Sequence, residues 1–232
     1  MKSCLIPALY LFIFLFMAQP VLATPLQIHA WSYYTAAPFK TSDNNDGLAQ
    51  DLVTLLNEKA RGRFRFTLQI LPRARLNYYL TEAEKKGIVL FVNWAWMGKN
   101  AKEEFLWSHG LLTDRNEIVS SLERPVEYSD PNSLKGLKFS ALLGHRYTVL
   151  DGLMDQGIIK RIQVNNAGSA LMLLGSGRAD FTIIPRSALM SRIKQHRLQG
   201  KLHLSKVPLS QFSRHIMTPK SLETVHSFIQ DS

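Results

Sequence analysis

The stretch KFSALLGHRYTVLDGLMDQGIIKRIQVNNAGSALMLLGSGRADFTII, residues 138–184, alternates short apolar runs with amphipathic segments. The pattern predicts strands at Lys138–Leu142, Arg161–Val164 and Phe181–Ile184, and helices from Tyr147 and at Ser169–Leu174. Strands that alternate with helices form mostly parallel sheets whose faces the helices cover. The stretch therefore predicts an α/β fold.

The same rhythm precedes this stretch, and extended segments join the two regions. Upstream we predict strands at residues 26–31, 64–71 and 88–94, and helices from Leu48 and at Arg73–Lys86. Arg115–Leu122 leads into the second region, whereas Leu202–Val207 and Phe212–Met217 carry the chain back. Two parallel-sheet lobes joined by crossing strands place a cleft between them, where ligands bind at the carboxyl ends of strands.

The N-terminus has the pattern of a secretory signal peptide. Lys2 precedes an apolar run from Leu5 to Phe16, and small residues close the segment at Ala23. The apolar core is short for a bilayer span and no stop-transfer pattern follows it. We therefore predict a cleaved signal peptide over residues 1–23 and an exported protein, with an uncleaved anchor as the alternative.

Composition narrows the classes of function further. The only cysteine, Cys4, lies within the predicted signal, so the processed chain would have neither disulfides nor thiol chemistry. Cleavage removes one lysine and no acid, which lowers the net charge from +10 to +9. Such a net positive charge either attracts anionic ligands or reflects basic residues on an ordinary solvent-exposed surface. Export argues against nucleic acid as the partner. No metal-like pairing of histidines is present, so no metal is expected, and with neither a phosphate loop nor a zinc spacing no cofactor is expected.

Several short motifs, taken in order, resemble the extracellular solute-binding proteins of family 3. These are type II periplasmic binding proteins that usually serve amino-acid ABC transporters. The motifs are YYTAAPF (33–39), GLAQDL (47–52), LPRARL (71–76), FLWS (105–108), SLKGLKFSALLGHRY (133–147) and LLGSGRADF (173–181). Each motif is weak alone, and their order and spacing carry the resemblance.

The resemblance implies a two-lobed fold with a central cleft and crossing hinge strands. Lobe I would comprise residues 24–120 and 208–232, and lobe II residues 121–207, with hinges near 115–124 and 205–214. It also implies a periplasmic, monomeric protein that captures a small molecule by closure of the lobes. Its partner would be an ABC permease or a membrane receptor.

The chain departs from the amino-acid-binding pattern at two positions. The arginine that would clamp an α-carboxylate falls on Ala101, beside Lys102, and the acid that would bind the α-ammonium falls near Pro185. In a pocket without both partners, the charges of an amino acid would lose their water without gaining an opposite charge. We therefore expect a small polar ligand of anionic or aromatic character.

The candidate ligand-binding residues follow from this expectation. Aromatic side chains would stack on the ligand and cationic ones would attract it. Gly144, between strand and helix, would let the backbone amides that follow it face an anionic group. The candidates are Tyr33, Tyr34, Phe39, Arg75, Trp94, Trp96, Lys102, His145, Arg146, Tyr147 and Arg186.

Other interpretations stay open. Trp94 and Trp96 fit a core as well as a pocket, and Arg75 fits a role in holding the lobe I loops together. The main alternatives to transport are a ligand sensor read by a membrane receptor and a dehydratase on the same fold. The dehydratase would need His145 or Asp180 as general acid in the cleft. Because no sequence pattern demands catalysis, a non-enzymatic binding protein is the prediction.

Overall fold

A computed structural model describes residues 24–41, 46–81, 87–143, 145 and 147–232. The predicted signal peptide lies outside these residues, as do Gly144, Arg146 and the last part of the predicted helix at Arg73–Lys86. None of the helices in the described part of the chain has the length and apolar character needed to cross a bilayer.

Ten strands lie within the described residues. They are β1 (Leu26–Ser32), β2 (Phe64–Ile70), β3 (Gly87–Val92), β4 (Phe105–Trp107), β5 (Leu112–Ser121), β6 (Lys138–Leu142), β7 (Lys160–Val164), β8 (Phe181–Pro185), β9 (Leu202–Leu204) and β10 (Ser210–Pro219). The helices are α1 (Leu48–Ala60), α2 (Arg73–Thr81), α3 (Ala101–Glu104), α4 (Asp151–Asp155), α5 (Ala167–Gly175), α6 (Arg186–His196) and α7 (Glu223–Gln230). Short 3-10 turns cover Trp94–Trp96, Pro131–Leu134 and Lys220–Leu222.

The strands form two parallel groups joined by an antiparallel centre, in the order β2-β1-β3-β10-β5-β8-β6-β7. On one side β1 pairs in parallel with β2 and β3, and on the other β6 pairs in parallel with β7 and β8. β5 and β10 pair antiparallel with each other between the groups. The predicted two-lobed α/β fold with crossing strands is confirmed. The strands outside the crossing pair are parallel to one another in the core of each lobe, whereas β5 and β10 pair antiparallel with all their neighbours.

β10 passes from one lobe to the other at a single peptide. Residues 210–214 pair with β5, whereas His215 and the residues after it pair with β3 and β4. β5 makes the opposite passage, because its second half pairs with β8 and β9 of lobe II. These two strands overlap the predicted hinge ranges, and the domain bounds themselves stay predictions.

Each lobe buries apolar side chains on both faces of its sheet. In lobe I, Phe66 and Leu90 pack on the α1 face, whereas Leu76 and Val89 pack on the α2 face. Lobe II has the corresponding two clusters, one around the stacked rings of Phe139 and Phe181 and one beneath α5 and α6. A core on both faces is what a sheet covered by helices requires.

Two predicted helices differ from those observed. The apolar face predicted for α1 comprised Leu48, Leu52, Leu55 and Leu56. Leu56 is buried as predicted, but Leu48 and Leu55 are exposed, and the other buried residues are Ala49, Val53 and Ala60. The second difference is the helix predicted from Tyr147, which begins at Asp151 after a turn. In α1, apolar residues cover more than one face, so periodicity alone does not fix which side meets the sheet.

Candidate functional site

The cleft edge of each lobe is formed where its parallel strands end. Tyr33 and Tyr34 follow β1, Trp94 and Trp96 follow β3, and the N-terminus of α6 follows β8. Carboxyl ends of parallel strands are where such sheets bind ligands. Of these side chains, Tyr34 and Trp96 meet around Arg214 of the crossing strand β10, and Ser187 of α6 contacts Asp114, the ion-pair partner of Arg214.

Arg214 forms a buried ion pair with Asp114 of β5. The Arg214 Nη2 and Nε atoms lie 2.8 and 3.1 Å from Asp114 Oδ2. Only 3% of Arg214 and 4% of Asp114 is exposed to solvent. Burying both charges carries a desolvation cost that close, well-formed hydrogen bonds must offset. The pair therefore holds the two crossing strands together where they pass between the lobes.

Four aromatic rings surround the Arg214 guanidinium, and we call them the Arg214 cage. Its carbon lies 5.2 Å from the ring centre of Tyr34, 4.8 Å from Phe39, 5.3 Å from Trp96 and 5.1 Å from Phe212. A guanidinium is attracted to the negative faces of such rings, more strongly when water is absent. Three of the four rings come from lobe I loops, so the cage connects lobe I to the crossing strand.

The carboxylate of Asp114 also receives the start of α6 from lobe II. Ser187 donates its backbone N–H to Oδ1 at 3.1 Å and its hydroxyl to Oδ2 at 2.6 Å. The backbone N–H of Arg115 donates to Oδ1 at 2.9 Å. Burial by itself raises the pKa of Asp114, but the hydrogen bonds from Ser187 and Arg214 outweigh it and hold the pKa below its ordinary value. Asp114 is therefore an ionised link between the lobes.

Tyr34 completes the cage from the lobe I side. Its hydroxyl accepts a hydrogen bond from Arg214 Nη1 at 2.7 Å and donates to the carbonyl of Phe91 at 3.0 Å. Burial, and then the neighbouring Tyr33, raise the pKa of Tyr34 well above its ordinary value, so the phenol stays neutral. A neutral hydroxyl can accept from the arginine while it donates to the carbonyl.

Phe91 supplies that carbonyl from an unusual backbone conformation. Its φ is +58°, in the left-handed region that a bulky side chain seldom adopts. The pairing of β3 with β10 is irregular at the same level, between His215 and Met217. Phe91 O also accepts from Arg214 Nη1 at 3.3 Å. Strained backbone persists where the surrounding structure over-determines it, and here it presents an oxygen to the arginine.

A second charge cluster lies beside the first on β5. Arg115 Nε and Arg186 Nη1 both lie 2.7 Å from Glu117 Oε1, and Glu117 is fully buried. Two cations therefore share one carboxylate, which leaves a net positive charge. Arg186, a predicted site residue, lies in this cluster with an exposed guanidinium face.

Trp94 and Trp96, both predicted site residues, lie in different surroundings. Trp96 packs edge-on against Phe212, with ring centres 4.9 Å apart, and belongs to the Arg214 cage. Trp94 instead packs against His215 at 5.0 Å and Trp107 at 5.9 Å, on the other side of the strand. Lys102 lies over the Trp94 ring at 5.4 Å and so is away from the cage.

The arginines of the LPRARL motif also divide. Arg73 lies over the ring of Tyr33 at 5.0 Å and hydrogen-bonds to the Trp96 carbonyl, so it joins the two aromatic loops of lobe I. Arg75, the predicted site residue, is exposed on α2. The role predicted for Arg75 in holding loops together is performed by Arg73, two residues earlier.

The predicted lobe II loop is described in part. His145 is exposed, whereas Tyr147 is buried with its ring edge-on to Phe139, 4.8 Å between centres, and its hydroxyl accepts from the Leu142 N–H at 3.2 Å. Tyr147 thus packs into the lobe II core. Arg146 and Gly144 lie outside the described residues.

Asp180, one of the two candidate general acids of the dehydratase alternative, lies at the far edge of lobe II. It precedes β8, and its Oδ2 accepts from the backbone N–H of Lys138, the first residue of the parallel strand β6, at 2.7 Å. The amino ends of parallel strands are opposite to the cleft edge. Asp180 therefore fixes the start of two strands.

Sequence reasoning missed Asp114, Ser187, Arg214 and Phe212. A signal for Arg214 was present, because it is a charged residue within the segment predicted to be extended at Phe212–Met217. Asp114 directly precedes the extended segment predicted at Arg115–Leu122. Such charges are rarely buried without a partner. The pairing itself spans 100 residues and follows from the β5–β10 register, in which Phe212 lies opposite Asp114 and Arg214 opposite Leu112.

Two cavities lie elsewhere on lobe II. One, of about 580 Å³, lies between the start of α5 and β9, and its lining includes Asn166, Leu171 and Lys201. The other, of about 460 Å³, lies between β7 and α5. Neither has a lining residue in the Arg214 cage. Within the described residues, no group of three or more His, Cys, Asp or Glu side chains is placed to hold a metal ion.

No protein-family model and no curated protein sequence matches the chain. Solved structures of binding proteins do match its fold. Holo arginine-binding protein from T. maritima superposes with a TM-score of 0.63 at 16% identity, over 89% of this chain and 88% of that one. An ancestral arginine-binding protein bound to arginine gives 0.65 at 16% identity, over 90% and 91% of the two chains.

A receptor core and a transporter component match similarly. The GluR0 ligand-binding core from Nostoc punctiforme in complex with L-glutamate gives a TM-score of 0.62 at 14% identity, over 89% and 92% of the two chains. The substrate-binding protein of an amino acid ABC transporter gives 0.59 at 14% identity, over 88% and 90%. These neighbours are consistent with solute-binding protein family 3, and the chain has the two-lobed α/β fold of the periplasmic binding proteins.

Proposed function

We propose that this protein is an exported, periplasmic solute-binding protein that captures a small polar ligand between its lobes. The observation that carries the proposal is that the strand ends of both lobes converge on the crossing strands, where aromatic and cationic side chains lie. Two lobes that share crossing strands can close by bending at those strands, which is a common mechanism of ligand capture. The closed form then presents one surface to a membrane partner.

The charges at the cleft favour an anionic ligand. Asp114 is engaged by Arg214 and Ser187, and Glu117 is shared by Arg115 and Arg186. Arg73 hydrogen-bonds to two neutral groups, the Asn77 side chain and a backbone carbonyl. The cations therefore exceed the acids around the cleft. Arginine forks are well suited to carboxylate or phosphate oxygens, and the neighbouring rings suit a planar ligand.

The solved neighbours include proteins bound to arginine and to glutamate, and for this chain we propose a different ligand chemistry. Ala101, at the position of the expected carboxylate clamp, is 2% exposed and packs in the lobe I core. Pro185 has no charge to offer an α-ammonium. A zwitterionic amino acid would therefore lack the two charge partners implied by the family pattern.

Capture rather than catalysis is the proposed activity. The dehydratase alternative would place His145 or Asp180 in the cleft as general acid. The position of Asp180 at the amino ends of β6 and β8 weighs against Asp180 in that role, which leaves His145, just after β6, as the candidate acid of that alternative. We propose a monomer that delivers its ligand to an ABC permease, with a membrane receptor as the other candidate partner. No role in nucleic-acid binding is proposed.

A thermal-shift panel tests the proposal, because a ligand that binds only the folded protein must raise the unfolding midpoint. We expect aromatic and aliphatic carboxylates to raise it and neutral zwitterionic amino acids to leave it unchanged. Arg186→Gln should reduce the rise in midpoint that carboxylates cause. Arg65→Gln, which removes the same charge from an exposed residue of β2, is the matched control. A response to zwitterionic amino acids alone, or an equal loss in both variants, would contradict the proposed ligand class.

A further inference from the structure

The Arg214 side chain occupies a site that is complete for a guanidinium group. Nε and Nη2 donate to Asp114, and Nη1 donates to the Tyr34 hydroxyl and the Phe91 carbonyl, so all three nitrogens have acceptors. The Arg214 cage supplies four ring faces at 4.8 to 5.3 Å. Planar forked donors matched to a carboxylate and stacked on rings are the features that distinguish arginine recognition from lysine recognition.

This site lies between the lobes and not inside one of them. Tyr34, Phe39 and Trp96 come from lobe I loops, whereas Ser187 brings the start of α6 from lobe II to the same carboxylate. Arg214 is also the last β10 residue paired with β5 before the strand passes to β3 and β4. Arg214 therefore lies where the two lobes meet.

We propose that Arg214 is a specificity-determining residue that fills the interlobe cation site from within, so that cationic solutes are excluded and anionic or neutral ones are accepted. The inference rests on the proposed ligand-binding function and names its charge selectivity. A second cation at this site would be repelled by Arg214 in a water-poor environment and would find Asp114 already saturated. An anion would meet the arginines beside Glu117 instead.

If Arg214 fills this site, the site should bind a free guanidinium ion once the Arg214 side chain is removed. Truncating Arg214 to alanine removes the guanidinium and leaves Asp114, the Tyr34 hydroxyl and the four rings around the vacated space. A free guanidinium of suitable size should then bind there. An ammonium of the same charge should bind less well, because it lacks the planar fork that reaches several acceptors at once.

The experiment compares wild type with R214A in thermal unfolding with methylguanidinium, L-arginine, methylammonium or sodium chloride. We expect about 20 mM methylguanidinium, if this is near ten times its Kd, to raise the R214A midpoint by about 3 to 6 °C. Methylammonium and sodium chloride at the same concentration should not reproduce that rise. Wild type should not be stabilised by methylguanidinium or L-arginine.

Two further variants exclude a purely structural role for Arg214. In D114N/R214A the site also lacks the Asp114 carboxylate beside the cage, so the methylguanidinium rescue should disappear. R65A, which truncates an exposed arginine, should show no guanidinium-specific rescue. A general loss of packing in R214A would give a low midpoint that no cation restores selectively, and that result would overturn the inference.

If R214A does not fold even when it is produced with methylguanidinium, thermal unfolding of wild type with the same solutes still tests the inference. Stabilisation of wild type by L-arginine or methylguanidinium would overturn the inference directly. Wild type that responds to carboxylates, combined with R214A that is not rescued, would refute the role of Arg214 and leave the proposed function standing. Selective rescue of R214A, combined with wild type that responds to no solute, would support the cage and refute the proposed ligand capture.

Discussion

Replacing Asp114 with asparagine isolates the charge of the buried ion pair, because the two side chains have nearly the same shape. In the wild type, Arg214 Nη2 lies 2.8 Å from Asp114 Oδ2, and both residues are at least 96% buried. Removing one partner of such a pair leaves an uncompensated buried charge and costs about 3–5 kcal/mol. Asparagine retains one carbonyl acceptor, so we expect a loss near the lower end, about 3 kcal/mol.

The loss should appear in both chemical and thermal unfolding. For a chain of this size a change of 1 kcal/mol shifts the midpoint by about 2–4 °C, so D114N should unfold about 6 to 12 °C below wild type. Urea unfolding at neutral pH measures the free-energy difference directly. Asp155→Asn is the matched control, since Asp155 is exposed at the end of α4 and its replacement should change stability by no more than about 0.5 kcal/mol.

The pH dependence gives the prediction a second, independent signature. The pKa of Asp114 in the folded protein is lower than its ordinary value, because the hydrogen bonds from Ser187 and Arg214 outweigh the effect of burial. A depressed carboxyl pKa stabilises the fold fully above the ordinary value of about 4, and the stabilisation is lost as the pH falls through the folded pKa. The difference between wild type and D114N should therefore be constant near neutrality and shrink below about pH 4.

Two results would refute this reasoning. One is D114N with a stability within about 1 kcal/mol of wild type at neutral pH, which would mean that Arg214 does not depend on the charge of Asp114. The other is a large difference that persists unchanged into acid, which would mean that the asparagine acts through its shape or its amide rather than through charge.

Two more predictions concern the neighbourhood of this pair and the lobe II core. Ser187→Ala removes a hydroxyl that lies 2.6 Å from Asp114 Oδ2, and we expect the free energy of unfolding in urea to fall by about 1.5–3 kcal/mol. Ser187→Thr keeps a hydroxyl and should remain closer to wild type. Equal losses of stability in the two variants would contradict the role of the hydroxyl. Phe139→Ala removes a fully buried ring whose centre lies 4.8 Å from that of Phe181, and it should lower the free energy of unfolding by about 3–5 kcal/mol. Met172→Ala, at a residue that is 69% exposed, is the control and should change stability by less than about 0.5 kcal/mol. Similar losses in the two variants would refute the assigned core.

The sequence alone predicted the fold class, because the strands and helices of each lobe have strong local signals. Lys138–Leu142 was predicted with the bounds that the structure has, and β7 and β8 each differ from prediction by one residue. Short apolar runs next to glycines and turn residues are sufficient to mark buried strands of a parallel sheet. The order of these elements then limits the topology to a few arrangements.

The candidate site was predictable only in part, as its aromatic members show. Tyr34, Phe39 and Trp96 were identified as aromatic residues that would stack on a ligand, and all three contact the Arg214 guanidinium. Trp94 follows the same strand but packs on Trp107, because the turn after β3 sends its two tryptophans to different sides. Which residue of a short turn faces the cleft depends on backbone geometry that composition does not encode.

What the sequence by itself determined is the set of strands and helices, their order, and the loops that carry aromatic and cationic side chains. What only the tertiary structure decided is the partnership of Asp114 with Arg214, and through it the charge left available at the cleft. The physical reason is register: the two residues are 100 positions apart, and they meet because β5 and β10 pair antiparallel with Phe212 opposite Asp114. Local sequence signals do not fix the alignment of strands so distant, whereas the packing of both lobes on the shared strands does.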